Sequence, residues 1–306
     1  MTLSLPQIQV GAPILHESLA VFPLFAETGS QADYTLSDAA LEAGTVTVEE
    51  VSEGGSVPEL AVNNEGELRV LFLEGEELVG AKQNRILNTS VLVAAHTKAK
   101  IPVSCVEAGR WQYISRMFGS AGRHASSRLR RVLKESVTSA ARNRGEHRSD
   151  QLGVWDEVAR QQAALGAASP TSAMADTFEF CDERLETFRE KTKYVEGAIG
   201  LAVAIGGQVV SIDLFDKPET CRRVWNRILS GLMLEALEAK SESVTAKSED
   251  VRARIDQLRE LHWEQVQAAG EGEEYRAASP RGDHATALVL QDTLVHGSAV
   301  YEVASV

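Results

Sequence analysis

The sequence predicts an α+β protein, and three observations indicate this class. Strand patterns, namely short apolar runs and an alternation of apolar and polar residues with period two, prevail from Leu19 to about Trp111. Helical patterns follow this region, and two β-hairpins occur late in the chain. We therefore expect an N-terminal, mostly antiparallel β-sandwich or barrel lobe at 1–111, followed by an α+β lobe at 112–306.

Several segments of the N-terminal lobe have the pattern of strands. Residues 45–51 alternate as a half-buried strand does. Further strands are expected at 19–25, 57–62, 68–73, 89–94 and 99–106. Asn63-Asn64-Glu65-Gly66 is a turn sequence that tolerates left-handed backbone angles, and it predicts a hairpin of 57–62 with 68–73. Within this lobe only 36–43 has a helical pattern.

The second lobe mixes helices with hairpins. Helices are expected at 125–141, 154–165, 178–194, 218–239 and 248–269. The first of them is strongly basic, and Pro218 stands at a first-turn position that proline favours. One hairpin, 199–215, turns at Gly206-Gly207, and a second, 285–303, turns at Asp292-Thr293.

Composition limits the classes of partner. The formal net charge of -13 opposes general binding to nucleic acid, and no sequence-specific nucleic-acid motif is present. No run approaches the roughly 20 apolar residues of a membrane span, and no secretory signal precedes the first strand. The three cysteines are odd in number and far apart, as expected of reduced thiols. We therefore expect a cytoplasmic protein without a membrane partner.

The most unusual segment is 74–88, where the polar residues Lys82, Gln83, Asn84 and Arg85 interrupt two apolar strands. Side chains alternate between the faces of a strand, so some of these must point to the buried side. A buried cation needs a partner, which could be one of the carboxylates at 74, 76 and 77 or a ligand. Lysine and arginine suit phosphate, and Gln83, Asn84 and Asn88 suit hydroxyls or a base edge. A solvated turn and a magnesium site on those carboxylates are the alternatives.

A second polar segment ends the strand at 99–106. Glu107 and Arg110 lie at a strand end, where pocket residues are common, and Trp111 offers a stacking face. Glu107 is the candidate general base. Cys105, with an arginine five positions later, is the other catalytic candidate, but no helix N-terminus follows to lower its pKa. We therefore expect Cys105 to be a poorly reactive buried thiol.

The segment 110–148 concentrates positive charge in an acidic chain. It could face a phosphorylated ligand, an acidic partner or the acidic remainder of the protein itself. The histidines are scattered without the spacing of a chelate, so no metal site is predicted for them, and the sequence leaves the cofactor unknown.

The two polar segments carry a family resemblance. Residues 73–85 (Leu-Glu-Gly-Glu-Glu-Leu-Val-Gly-Ala-Lys-Gln-Asn-Arg), followed by Asn88, and 101–111 (Ile-Pro-Val-Ser-Cys-Val-Glu-Ala-Gly-Arg-Trp) resemble the ARG and rhodanese-phosphatase-associated protein domain. Weaker similarity continues at 151–155 and 197–215. The resemblance implies a role near ADP-ribose or related nucleotide-derived metabolites, and it supplies no catalytic residues.

The sequence thus leads to two readings. In the first, Lys82, Arg85 and Arg110 hold the phosphate of a nucleotide-derived metabolite, beside Glu107 and Trp111. In the second, the chain is a non-catalytic interaction or assembly module, and the same side chains form a structural network. Both require the two segments to converge in space. Whether the chain is an enzyme, and whether it forms a homo-oligomer, stays open.

Overall fold

The computed structural model describes residues 5–27, 29–30, 32–52, 54–55, 58–239 and 246–302. The strands in these ranges are β1 (Gln9–Val10), β2 (Ile14–His16), β3 (Leu19–Phe25), β4 (Tyr34–Leu36), β5 (Val46–Glu50), β6 (Glu59–Asn64), β7 (Arg69–Phe72), β8 (Glu76–Gly80), β9 (Arg85–Leu87), β10 (Val91–Val93), β11 (Thr97–Cys105), β12 (Phe118–His124), β13 (Gly200–Ile205), β14 (Gln208–Phe215), β15 (Glu264–Val266), β16 (Glu273–Ala278), β17 (His284–Leu290) and β18 (Thr293–Val300). The helices are α1 (Ser37–Glu42), α2 (Ser127–Arg144), α3 (Gln151–Leu165), α4 (Met174–Phe180), α5 (Asp182–Lys191), α6 (Pro218–Glu238) and α7 (Ser248–Glu260). The predicted α+β class is confirmed.

The chain folds as two compact units. The sheet unit comprises Met1–Ala32, Cys181–Gln265 and Glu274–Val306, and the barrel unit comprises Asp33–Phe180 and Val266–Glu273. Residue 111, at which the sequence analysis divides the lobes, lies inside the barrel unit. Helices α2 to α4 belong to that unit because α3 packs on β11, and α2 and α4 pack on α3. Among the described residues, no helix combines the length and apolar character needed to cross a membrane.

The barrel unit is built on a curled, six-stranded antiparallel sheet with the order β12-β8-β9-β11-β6-β5. An isolated bridge from Glu49 to Met117 joins the β5 edge to the start of β12, which closes the sheet into a barrel. Its interior is apolar, with Val48, Leu78 and Leu87 all fully buried. The alternative that the sequence left open, sandwich or barrel, is thus resolved in favour of the barrel.

The predicted hairpin of 57–62 with 68–73 is wrong, although both strands form; Val57 itself lies outside the described residues. Strand β6 pairs with β5 and β11, whereas β7 pairs with β4 and β10 in a separate three-stranded sheet. The side chain of Asn64 donates hydrogen bonds to the carbonyls of Leu68 and Ala94, both at 2.9 Å. The turn therefore connects β6 and β7, which are strands of two different sheets.

Helix α2 is the predicted basic helix, and two of its cations are buried inside the barrel unit. Lys134 Nζ lies 2.8 Å and Arg130 Nε 3.8 Å from Oε1 of Glu74, and all three side chains are fully buried. Ser126 caps the helix by accepting a hydrogen bond from the amide of Leu129. Part of the basic stretch thus faces carboxylates of the protein itself.

The sheet unit contains one nine-stranded sheet with the order β1-β3-β13-β14-β18-β17-β16-β15, and β2 pairs with β3. Both predicted late hairpins form, as β13–β14 and β17–β18, although Val303 lies outside the described residues. Helix α7 packs on the sheet through Val251, Ile255 and Leu258. Helix α6 contacts β13 and β14.

Two helix predictions need correction. The single helix expected at 178–194 is interrupted at Cys181, because Asp182 and Glu183 provide the acidic first turn of a new helix, α5. The helix expected at 248–269 ends at Glu260. Leu261 adopts an extended backbone, which brings Trp263 into the apolar core.

Candidate functional site

The two polar segments converge at one end of the barrel, as predicted. Strand β9 pairs with both β8 and β11, which places Arg85 opposite Leu78 on one side and Cys105 on the other. The turn at 81–84 and the segment after Cys105 therefore leave the sheet side by side. Val106 donates a backbone hydrogen bond to the carbonyl of Asn84 at 3.1 Å, which fixes the two segments together.

Arg110 and Glu107 form the centre of this convergence. Nε of Arg110 lies 2.8 Å from Oε1 of Glu107, and Nη2 lies 2.6 Å from Oε2, in the bidentate geometry that binds most tightly. Nη1 of Arg110 also donates to the carbonyls of Ala81 and Gln112, at 2.7 and 2.9 Å. The guanidinium is thus surrounded by acceptors that belong to the protein.

The carboxylate of Glu107 is equally engaged. It accepts hydrogen bonds from the amide of Asn84 at 3.1 Å and from the hydroxyl of Thr171 at 3.0 Å, besides those from Arg110. Burial pushes the pKa of Glu107 upward, but these hydrogen bonds and the arginine charge outweigh it, so the pKa is lowered. With all these hydrogen bonds, the Glu107 carboxylate links the turn at 81–84, Arg110 and Thr171. Its role as a general base stays a prediction.

Three more predicted site residues are hydrogen-bonded to groups of the barrel unit. The side-chain amide of Gln83 donates a hydrogen bond to the backbone carbonyl of Glu107 at 2.9 Å and accepts one from Nη1 of Arg85 at 2.8 Å. Asn84 Oδ1 accepts from Nη2 of Arg110 at 3.2 Å. Asn88 is fully buried and donates to the carbonyl of His147. We call Gln83, Asn84, Glu107 and Arg110 the polar scaffold.

Cys105 is fully buried, and its thiol contacts the carbonyl of Glu107 at 3.3 Å. Burial raises the pKa of the thiol, and the nearby Arg85 offsets this only in part. A raised pKa reduces the thiolate fraction, so these features agree with the expected poor reactivity of Cys105.

Lys82 and Trp111 lie outside the scaffold: Trp111 reaches the surface of the barrel end, and Lys82, only 8% exposed, is buried against it. The Lys82 ammonium lies 5.2 Å from the ring centre of Trp111 and 5.0 Å from that of Tyr113, which is cation–π contact distance. Trp111 is 49% exposed and Tyr113 46% exposed. Lys82 also donates a hydrogen bond to the carbonyl of Gly54 at 2.9 Å. Two half-exposed aromatic rings thus cover a buried cation.

Beneath this group lies a second ion pair, which the sequence analysis did not identify. The Glu50 carboxylate lies 3.5 Å from Nη2 of Arg85, and both side chains are buried. A β-carbon on Gly55 would lie 3.2 Å from Trp111, 3.3 Å from Lys82 and 3.4 Å from Oε2 of Glu50, so these side chains meet at one point. We call Glu50, Lys82, Arg85, Trp111 and Tyr113 the barrel-end cluster.

An open groove of about 970 Å³ adjoins the cluster. Its lining residues are Glu49, Glu50, Ser52, Tyr113, Ile114, Ser115 and Arg116. Of these, Glu50 and Tyr113 belong to the barrel-end cluster, and none belongs to the polar scaffold. The groove and the scaffold are therefore separate parts of the barrel end.

The carboxylates at 74, 76 and 77 are bound by protein groups. Glu74 pairs with Lys134 at 2.8 Å, and Glu76 accepts from Ser37 and from the amide of Leu73. In the part of the chain that the structure describes, no group of three His, Cys, Asp or Glu residues is arranged to hold a metal ion.

Glu77 is the most perturbed carboxyl of the barrel unit, and the sequence analysis did not distinguish it. Burial raises the pKa of Glu77 to about 7, although Arg123, 3.3 Å away, opposes the shift. Arg123 in turn donates to the carbonyl of Ala175 and lies over the ring of Phe178. The sequence analysis had placed Glu77 only among the carboxylates of the polar segment 74–88.

The sheet unit contains a separate buried pair. Nε2 of His296 lies 3.4 Å from Oδ1 of Asp213, and the imidazole stacks on Phe215 with ring centres 4.9 Å apart. Asp213 follows Ile212 on β14, so it points to the opposite face from that core residue. Both side chains are almost fully buried, which leaves them no direct access to solvent.

The chain matches the model of a known family. The model of the ARG and Rhodanese-Phosphatase-superfamily-associated Protein domain matches residues 7–300, which is nearly the whole chain. No curated protein and no solved structure matches.

Proposed function

We propose that this chain, which belongs to the ARG and Rhodanese-Phosphatase-superfamily-associated Protein domain family, binds a phosphate-bearing, nucleotide-derived metabolite at the barrel-end cluster. The observation that carries the proposal is the position of the Lys82 ammonium against the two half-exposed rings of Trp111 and Tyr113. A base stacks on such rings, and a phosphate pairs with such an ammonium. ADP-ribose combines both groups.

The proposal gives the predicted residues different roles. Lys82 and Trp111 contact the ligand, together with Tyr113 at the edge of the groove. The polar scaffold does not: it holds the turn at 81–84 against the end of β11, and so sets the position of Lys82. In this arrangement Arg110, although a predicted phosphate ligand, donates its hydrogen bonds to Glu107 and to backbone carbonyls of the barrel unit.

Thermal unfolding with and without ADP-ribose tests the proposal. A ligand that binds only the folded state stabilises it by about 2.7 kcal/mol at a hundredfold excess over its dissociation constant. We expect this rise in melting temperature in the wild type, and its loss in Trp111→Ala and in Lys82→Gln.

The matched controls are Phe180→Ala and Lys98→Gln, which remove an exposed aromatic ring and an exposed lysine that belong neither to the cluster nor to the lining of the groove. Both should retain the shift. Absence of any shift in the wild type with ADP-ribose, ADP or ribose 5-phosphate would contradict the proposal.

A second candidate function is assembly, which one observation favours. Four large apolar side chains are exposed within seven residues, namely Trp111, Tyr113, Ile114 and Met117. Exposed apolar patches of this kind occur at interfaces between proteins. If they join two copies of the chain, the mass from light scattering should rise with concentration, and Ile114→Ser should abolish that rise. A mass independent of concentration would exclude this function.

A further inference from the structure

The Glu50–Arg85 pair is incompletely satisfied. The Glu50 side chain is 3% exposed, yet neither of its carboxylate oxygens accepts a hydrogen bond from any described residue. Arg85 is fully buried, and its Nε and Nη2 likewise lack acceptors among the described residues. At 3.5 Å the two groups attract each other without forming a hydrogen bond. Buried polar groups are nearly always hydrogen-bonded, so four such atoms together require an explanation.

The position of this pair points to a ligand. Glu50 ends β5 and lines the groove together with Ser52 and Tyr113. Its Oε2 approaches the point at which Lys82 and Trp111 also converge beside Gly55. The unsatisfied atoms therefore lie within the barrel-end cluster, where the Arg85 guanidinium also lies 5.7 Å from the ring centre of Trp111.

The chemistry of the pair selects the ligand group. A carboxylate only accepts hydrogen bonds, and a guanidinium only donates them. A cationic ligand would satisfy Glu50 alone, and an anionic ligand would satisfy Arg85 alone. A hydroxyl group does both, because it donates one hydrogen bond and accepts others. Two neighbouring hydroxyls match the two oxygens of Glu50, while their own oxygens face the guanidinium.

We propose that Glu50 and Arg85 bind the two vicinal hydroxyls of a ribose, so that the site takes ribosyl compounds and rejects their deoxy analogues. This inference rests on the proposed function. The sugar then lies between a base on Trp111 or Tyr113 and a phosphate on Lys82. The carbonyl of Gly54 accepts a hydrogen bond from Lys82, and the phosphate would compete with this carbonyl for the ammonium.

Matched ligand pairs test the inference on the full chain. Isothermal titration would compare ADP with 2′,3′-dideoxy-ADP, and ribose 5-phosphate with 2-deoxyribose 5-phosphate. The loss of hydroxyls leaves buried groups unpaired, so the deoxy member of each pair should bind about tenfold more weakly or worse. In Glu50→Gln the preference should disappear, whereas Glu59→Gln, on an exposed glutamate of β6, should keep it.

The outcomes separate this inference from the proposed function. If ribosyl and deoxyribosyl probes bind with equal affinity, the site binds nucleotides, but Glu50 does not recognise the vicinal hydroxyls of the ribose. If no probe binds, both proposals fail. The wild-type comparison decides the matter even if Glu50→Gln, which leaves Arg85 without its counter-charge, does not fold.

Discussion

Replacement of Arg110 by alanine tests the role of the polar scaffold directly. The substitution removes the bidentate pair with Glu107, three hydrogen bonds to backbone carbonyls and one to Asn84. The Arg110 and Glu107 side chains are only 12% and 7% exposed, so the remaining carboxylate would be buried without its cation. Breaking a buried pair by removing one partner costs about 3–5 kcal/mol. We expect Arg110→Ala to lower the free energy of unfolding by about this amount without any ligand.

The pH dependence gives a second readout. The pKa of Glu107 is lower in the folded state than its usual value. Its stabilising contribution is therefore fully present above the pKa of an unfolded glutamate and is lost as the pH falls through the lower folded value. Without the arginine the folded pKa rises, so Arg110→Ala should lose less stability than the wild type between about pH 5 and pH 3.

Urea unfolding followed by tryptophan fluorescence, at pH 7 and at pH 3.5, measures both effects. The matched control is Arg116→Ala, since Arg116 is 85% exposed and lies 3.5 Å from Glu49. Exposed pairs contribute about 0–1 kcal/mol, so this variant should resemble the wild type. A folded Arg110→Ala protein that is as stable as Arg116→Ala would refute the structural role. It would return Arg110 to the group of ligand-binding candidates.

Two further predictions concern the buried groups of the barrel unit. Because the pKa of Glu77 rises to about 7 on folding, the folded state retains a proton that the unfolded state has lost, and stability should fall by about 3 kcal/mol between pH 4.5 and pH 7. Glu77→Gln should flatten this slope in urea unfolding whereas Glu59→Gln should not, and an unchanged slope in Glu77→Gln would disprove the assignment. Cys105 should react with iodoacetamide at neutral pH only after denaturation, because its thiol is buried and its pKa is raised. Rapid labelling of Cys105 in the native protein, detected by peptide mass spectrometry, would instead support a reactive thiol.

Local patterns predicted the strands and most of the helices, because period two and period 3.6 are properties of one segment. The hairpins β13–β14 and β17–β18 followed from short glycine- or aspartate-containing turns between apolar runs. The turn at 63–66 looked equally strong, yet its two strands belong to different sheets. A turn sequence shows where the chain reverses, and strand pairing depends on partners far away in sequence. For the same reason the split of the sheet unit into three chain segments has no local signal.

Convergence of the two polar segments was predictable because buried cations on a strand require partners. The identity of those partners was not predictable from the sequence. Arg130 and Lys134, on a helix about 60 residues later, bind Glu74, and this removes it from the groups available to the turn at 81–84. Glu50 escaped notice because a glutamate at the end of an alternating strand is normally a solvent-facing residue.

The polar scaffold is difficult to explain by stability alone. Apolar side chains of similar volume often stabilise a fold as well as a buried ion pair does, because both charges must be desolvated. What Arg110 and Glu107 provide is geometry: their bonds to Ala81, Asn84 and Thr171 hold the turn at 81–84, the end of β11 and the segment before α4 in one arrangement. Lys82 is part of that turn, and Trp111 directly follows Arg110. If scaffold and cluster act together in this way, a conservative Arg110→Lys substitution, which retains the charge but not the bidentate bonds, should weaken ADP-ribose binding as well as stability. A variant that loses stability but binds with wild-type affinity would show that the scaffold serves the barrel alone.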